Sequence, residues 1–112
     1  MQTFDATGTA RPGGWQTDRK AGEARLDILP RDGRMDLSIQ ATGPQGCAAS
    51  WRTTVILPAG KFRFSGRVRT AGVTSAQDDP NDGAALRISG GKRVQTVVGD
   101  TDWTQASYEF EV

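Results

Sequence analysis

The sequence contains no histidine, and this absence removes several classes of catalytic and metal site at once. Ser-His-Asp and Cys-His nucleophilic sites need an imidazole base, and histidine is the commonest protein ligand of metals. Paired carboxylates could still support glycoside hydrolysis, but Glu109 and Glu111 alternate along one predicted strand, as solvent-facing acids ordinarily do. Because no set of residues meets the requirements of an active site, we expect a protein that is not an enzyme.

The sequence also has a single cysteine and a small net charge. Cys47 is the single cysteine, so an intrachain disulfide is excluded, and we expect its thiol to act as a small buried apolar group. The net charge of +1 excludes nucleic-acid binding by charge alone. No apolar run approaches the roughly 20 residues of a membrane helix, and the first residues have no signal-peptide pattern. The expected partners therefore include neither nucleic acid nor membrane.

The sequence is rich in short alternating segments that are separated by turn residues. Apolar and polar residues alternate in residues 35–41, 61–69, 84–89 and 106–112, and Asp32-Gly33 is typical of a two-residue hairpin turn. No segment has a helical period, and 112 residues provide room for one domain. The pattern predicts a single all-β domain over residues 1–112, an antiparallel two-sheet sandwich.

The phase of each strand predicts which side chains are buried, because a slip of one residue would expose the whole set. The predicted core consists of Leu37, Ile39, Val55, Leu57, Phe62, Phe64, Val68, Leu86, Ile88, Tyr108 and Phe110. The same phase predicts that the arginines between residues 63 and 69 are exposed.

The arginines form the first candidate binding feature. Arg67 and Arg69 share one strand face with Arg63, and Arg87 is similarly placed on a later strand. Guanidinium groups make planar hydrogen bonds with several donors, which suits sugar hydroxyls, uronates and carboxylates. The alternative is an ordinary solvent face, in which Glu109 and neighbouring acids are the cross-strand partners of the arginines.

The second feature is the aromatic set of Trp15, Trp51, Trp103 and Tyr108, because sugar rings pack on exposed indole faces. Trp15 and Trp103 are interpreted as core anchors, since large aromatic residues dominate core energetics. Trp51 shares its phase with Val55, which favours burial, but it lies close to the loop at residues 44–46 and is a candidate sugar platform. The candidate ligand-binding residues are Arg67, Arg69, Arg87 and Trp51.

An acidic stretch at residues 78–83 raises the question of a calcium site. It does not fit the calcium-loop template, because Pro80 occupies a ligand position and Ser89 replaces the closing glutamate. Asp, Asn, Pro and Gly dominate turns, so residues 74–83 are predicted to be an exposed polar loop. The residues themselves indicate no cofactor.

Four segments of the chain resemble a known family. Residues 32–39 (DGRMDLSI), 55–69 (VILPAGKFRFSGRVR) and 84–88 (AALRI), with Asp102-Trp103 leading to residues 108–110, are similar to strands of jelly-roll carbohydrate-binding modules attached to xylanases and cellulases. The likeness covers most of residues 30–112. It implies a galactose-binding-domain-like fold and a jelly-roll β-sandwich.

The function implied by the resemblance is that of a non-catalytic accessory module. Such a module binds polysaccharide or oligosaccharide, or tethers a larger secreted, multidomain protein to it, and works outside the cell or in the periplasm. The same scaffold also serves as a structural or protein-interaction domain with no glycan ligand, and this alternative stays open.

The resemblance also leaves room for a structural calcium. Modules of this group use an acid in the first strand, to which Asp5 would correspond, together with a late acidic pair that has no counterpart up to Val112. The binding aromatics and arginine of the family have no clear match either. The resemblance therefore assigns no ligand-binding residue.

Overall fold

The computed structural model describes residues 1–44, 46–73, 83–88 and 94–112, and the chain in these ranges is all-β. The strands are β1 (Gln16–Gly22), β2 (Ala24–Arg31), β3 (Arg34–Ala41), β4 (Cys47–Arg52), β5 (Lys61–Val73), β6 (Ala84–Leu86), β7 (Val94–Val97) and β8 (Gly99–Glu111). They pair antiparallel as β1 with β4, β2 with β3, β5 with β8 and β6 with β7. This confirms the prediction of an all-β, antiparallel protein.

The chain divides into two compact units, Met1–Leu57 with strands β1 to β4 and Pro58–Val112 with strands β5 to β8. The prediction of a single domain over residues 1–112 stays a prediction. The predicted polar loop lies outside the described residues except for Gly83. Within the described ranges, no helix has the length and apolar character needed to cross a membrane.

The long β5–β8 ladder dominates the unit Pro58–Val112. Both strands have 13 residues, and they pair from Lys61 opposite Glu111 to Val73 opposite Gly99. Phe62 and Phe64 are half-buried whereas the intervening Arg63 is exposed, so the predicted phase of β5 is confirmed. Alternation therefore identified the covered face of this ladder.

The centre of the ladder is its best-packed point. Gly66 lies opposite Ala106, which is 1% exposed and is the one fully buried hydrophobic residue among those described. A Cβ atom on Gly66 would lie 3.6 Å from Cδ1 of Leu86, an ordinary van der Waals distance, so the β6 side chain packs over this point of the ladder. The predicted core residues of this unit are all half-buried rather than fully buried.

The β2–β3 hairpin has the turn that the sequence predicts. Arg31 pairs with Arg34, which leaves Asp32 and Gly33 as the two turn residues, and Gly33 has a φ of 68°. A positive φ at this position is what a two-residue hairpin turn requires, and glycine adopts it without the steric cost of a Cβ. The turn therefore sets the register of the hairpin.

Burial in this hairpin is the reverse of the prediction. Leu37 is 36% and Ile39 45% exposed, whereas Asp36 and Ser38 are half-buried. The prediction of Leu37 and Ile39 in the core is wrong, and so is that of Val55, which is 36% exposed.

The reversal follows from the contacts that the side chains of the polar face make. Asp36 forms ion pairs with Arg31 at 3.0 Å and Arg34 at 3.3 Å. The Nε1–H of Trp51 donates a hydrogen bond to the Ser38 carbonyl oxygen at 3.1 Å. These contacts cover the polar face, whereas Val55 lies outside any strand and has no sheet position to bury it.

Candidate functional site

The solvent-facing side of the β5–β8 ladder carries the polar side chains of both strands. We call this side the outer face. Its members are Lys61, Arg63, Ser65, Arg67 and Arg69 of β5, with Trp103, Gln105, Ser107, Glu109 and Glu111 of β8. Because side chains alternate between the two sides of a sheet, these residues stand opposite the Phe64–Gly66–Ala106 side. Charge is distributed unevenly along this face.

At the end near Lys61 the charges are paired. Glu109 Oε1 accepts hydrogen bonds from Arg63 Nη2 at 2.8 Å and Nε at 3.2 Å. Lys61 lies directly opposite Glu111 in the register. The Arg63 and Glu109 side chains are 65% and 72% exposed, so their ion pair contributes at most about 1 kcal/mol. This is the cross-strand pairing that the solvent-face alternative predicts.

At the other end, two arginines lie against a tryptophan. The Cζ atoms of Arg67 and Arg69 lie 5.9 Å and 5.1 Å from the centre of the Trp103 ring, within the range of cation–π attraction. Neither guanidinium has a carboxylate partner or a side-chain hydrogen bond among the described residues. We call these three residues the Arg67–Trp103–Arg69 cluster.

A β-bulge positions Trp103 beside the arginines. Between the pairs Val68–Thr104 and Thr70–Thr101, β5 contributes only Arg69, whereas β8 contributes Asp102 and Trp103. An extra residue of this kind bends the strand and changes the direction of neighbouring side chains. Bulges are over-represented beside functional sites, but they also serve the geometry of the sheet alone.

The acids near the cluster bond to the backbone. Asp102 Oδ1 accepts a hydrogen bond from the Trp103 N–H at 2.8 Å, and Asp100 Oδ1 accepts one from the Gly72 N–H at 2.8 Å. Gly72 has a φ of 63°, where the register shifts a second time. These carboxylates hold the irregular end of the ladder, and among the described residues none of them forms an ion pair with Arg67 or Arg69.

The candidate residues from the sequence are distributed over the molecule. Arg67 and Arg69 come together in the cluster. Arg87 follows β6 and is exposed, and it makes no ion pair or ring contact within the part of the chain that the structure describes. Trp51 belongs to the unit Met1–Leu57, where it is half-buried and bonded to Ser38. Ligand binding by Arg87 and Trp51 stays a prediction.

Trp103 is the member of the cluster that the sequence interpretation did not select as a candidate. The interpretation as a core anchor does not fit its position, because Trp103 lies on the outer face in contact with two exposed arginines. The signal was in the phase of β8. Trp103, Ser107 and Glu109 are separated by even numbers of residues, which places all three on the side opposite Tyr108 and Phe110.

Asp5, the possible calcium ligand, organises its own turn. Its Oδ1 accepts hydrogen bonds from the Thr7 hydroxyl at 2.7 Å and from the N–H groups of Thr7 and Thr9 at 2.9 Å. The Thr7 hydroxyl bond, followed by the Thr9 bond, lowers the pKa of the Asp5 carboxyl. Among the described residues, no three Cys, Asp or Glu side chains group in a way that could hold a metal ion.

Comparison of the chain with family models, with curated proteins and with solved structures finds no match. A function is therefore indicated only by the chemistry of the outer face and by the resemblance of the strand segments described above.

Proposed function

We propose that this protein is a non-catalytic carbohydrate-binding module that binds polysaccharide or oligosaccharide through the Arg67–Trp103–Arg69 cluster. In this role it tethers a larger secreted protein, outside the cell or in the periplasm, to its polysaccharide. The observation that carries the proposal is the position of two guanidinium groups, which have no carboxylate partner among the described residues, beside an aromatic ring on the outer face of the ladder.

The chemistry of the cluster supports glycan binding. Each guanidinium has five N–H donors in a fixed planar fork, and sugar hydroxyls and carboxylates are the acceptors that such a fork matches. The Trp103 ring restrains both arginines, so less side-chain entropy is lost when a ligand binds. Because β5 and β8 hold all three residues, the cluster is built on strands rather than on a loop, which favours a fixed geometry.

For the fold we propose a jelly-roll β-sandwich. The support comes from the apolar face of the β2–β3 hairpin, where Ile28 is 44% and Met35 67% exposed beside Leu37 and Ile39. A two-stranded hairpin is marginally stable by itself, and all-β domains cover an apolar sheet face with a second sheet. A sandwich provides such a cover.

The alternative is a structural or protein-interaction domain with no glycan ligand. The Arg63–Glu109 ion pair favours it, because the charges of ordinary solvent-facing sheets pair across strands in this way. This alternative predicts that the outer face binds no polysaccharide at all.

Affinity electrophoresis through gels that contain single polysaccharides, chosen from a glycan array, tests the proposal. We expect at least one polysaccharide to retard the protein. Charged hydrogen bonds contribute about 1.5–3 kcal/mol each, so Arg67→Ala with Arg69→Ala should weaken binding at least tenfold. The matched control is Arg63→Ala, which removes an arginine of the same strand face that is already paired. Absence of retardation by every polysaccharide would support the structural alternative.

A further inference from the structure

The part of the cluster that a ligand meets is cationic rather than aromatic. The guanidinium carbons of Arg67 and Arg69 lie 5.9 Å and 5.1 Å from the centre of the Trp103 ring, and the indole is half-buried. The cations thus occupy space beside the ring that a stacking sugar would need. Trp103 orients the arginines, and the groups that a ligand contacts are the N–H donors of the guanidinium groups. The ligand should therefore offer hydrogen-bond acceptors.

The charged groups around the cluster determine whether it prefers an acidic or a neutral ligand. Arg63 is paired with Glu109, while Asp100 and Asp102 accept hydrogen bonds from backbone N–H groups. Among the described residues no carboxylate pairs with Arg67 or Arg69, so both guanidinium forks keep donors for a ligand in a protein whose net charge is only +1. A neutral sugar hydroxyl would compensate neither cation, whereas a carboxylate accepts two parallel hydrogen bonds from one guanidinium.

The spacing of the two arginines suits a polymer. They are two residues apart on β5, so their Cα atoms are separated by about 7 Å along the strand. Both guanidinium groups lie beside one ring, at 5.9 Å and 5.1 Å from its centre, so together they can engage neighbouring acidic groups of one extended chain, whereas a single acidic group would leave one fork without an acceptor. We infer that the cluster selects a polysaccharide that carries carboxylates on its sugar rings, a polyuronate, over a neutral polysaccharide. This inference rests on the proposed function.

Calorimetric titration of the whole chain with three polymers tests the inference. The polymers are polygalacturonate, the same polymer after reduction of its carboxylates to alcohols, and poly-L-glutamate, which has carboxylates and no sugar. We expect polygalacturonate to bind at least tenfold more tightly than either of the other two. Arg67→Ala with Arg69→Ala should remove this preference, whereas Arg63→Ala should change the affinity less than twofold.

A second double variant controls for the possibility that the alanine substitutions unfold the protein. Arg67→Gln with Arg69→Gln retains side-chain length and hydrogen bonding but removes both charges, and it should also lose the preference for the carboxylated polymer. The urea midpoint of each variant, compared with that of the natural sequence, shows that it is folded.

The outcomes separate the inference from the proposed function. Equal binding of the reduced and the carboxylated polymer would overturn the inference and leave the proposed carbohydrate binding intact. Equal binding of poly-L-glutamate would overturn the inference by showing a response to charge alone. If neither these glycans nor any polysaccharide in the electrophoresis series binds, the inference and the proposed function are both wrong.

Discussion

The β2–β3 hairpin and the β5–β8 ladder have the same alternating sequence pattern, yet they bury opposite sets of side chains. In the ladder, Phe64 is half-buried and the neighbouring Arg63 is exposed. In the hairpin, Leu37 and Ile39 are exposed, while the acid Asp36 is half-buried between two arginines. Both elements are antiparallel pairs, and the ladder keeps a regular register from Lys61 to Val68, where Phe64 and Arg63 lie, so pairing does not explain the difference.

The difference comes from what packs on each pair of strands. The ladder has an apolar cover at its centre, where Leu86 of β6 approaches Gly66 beside the buried Ala106. The hairpin makes its contacts on the polar side, where Trp51 donates a hydrogen bond to Ser38. Alternation specifies which side chains share a face of the sheet, whereas the element that packs on the sheet determines which of the two faces is buried. The hairpin therefore gives the most direct test of the proposed sandwich.

The largest effect is expected for Leu37→Ala. Leu37 is 36% exposed in the structure, and the proposed sandwich would cover it with a second sheet; in that case this change should lower the free energy of unfolding by about 2 kcal/mol or more, the usual cost of truncating a buried leucine. The control is Ile56→Ala, at a position that is 67% exposed and outside any strand, which should cost no more than about 0.5 kcal/mol. Urea denaturation measures both. Equal, small effects would show that the hairpin face stays at the surface and would remove the support for a sandwich.

A smaller effect is expected for Ala106→Leu at the centre of the ladder. Ala106 is 1% exposed, and Leu86 covers the neighbouring Gly66, so a larger side chain should cost about 1–3 kcal/mol by overpacking. The matched control is Ala41→Leu, at an exposed alanine of the hairpin, with an expected change of about 0.5 kcal/mol or less. If both substitutions have the same effect, the ladder is no better packed than the hairpin.

The sequence could predict what depends on local pattern. The Asp32-Gly33 turn, the phase of β5 and the shared face of Arg67 and Arg69 all follow from residue type and spacing, and the structure has them. The alternation of residues along β8 also predicts that Trp103 lies on the outer face. The interpretation of Trp103 as a core anchor gave more weight to the tendency of large aromatic residues to be buried. A rule based on phase would have placed this residue correctly.

The remaining features depend on contacts between distant segments. The bulge at Asp102 and Trp103 exists only in the register with Arg69, more than 30 residues away in the chain. The reversed burial of the hairpin depends on Trp51, which is 13 residues from Ser38. Neither contact has a local sequence signal, so neither could be derived from alternation and turn residues.

The smallest effects concern two exposed ion pairs, one in each region. Arg63 and Glu109 join two strands at 2.8 Å, whereas Arg25 and Asp27 lie two residues apart on β2 and meet at 2.7 Å. Double-mutant cycles with alanine should give about 0.2–1 kcal/mol of coupling for the cross-strand pair.

The coupling of the Arg25–Asp27 pair should be close to zero. Its residues are already neighbours in the unfolded chain, so folding brings them no nearer, and the unfolded state shares part of their attraction. Urea denaturation of each single and double variant, at low salt and in 1 M NaCl, measures both couplings, and the salt should reduce the cross-strand value. A larger coupling for Arg25–Asp27 than for Arg63–Glu109 would contradict the argument, because it would mean that the hairpin gains more from its surface charges than the ladder does.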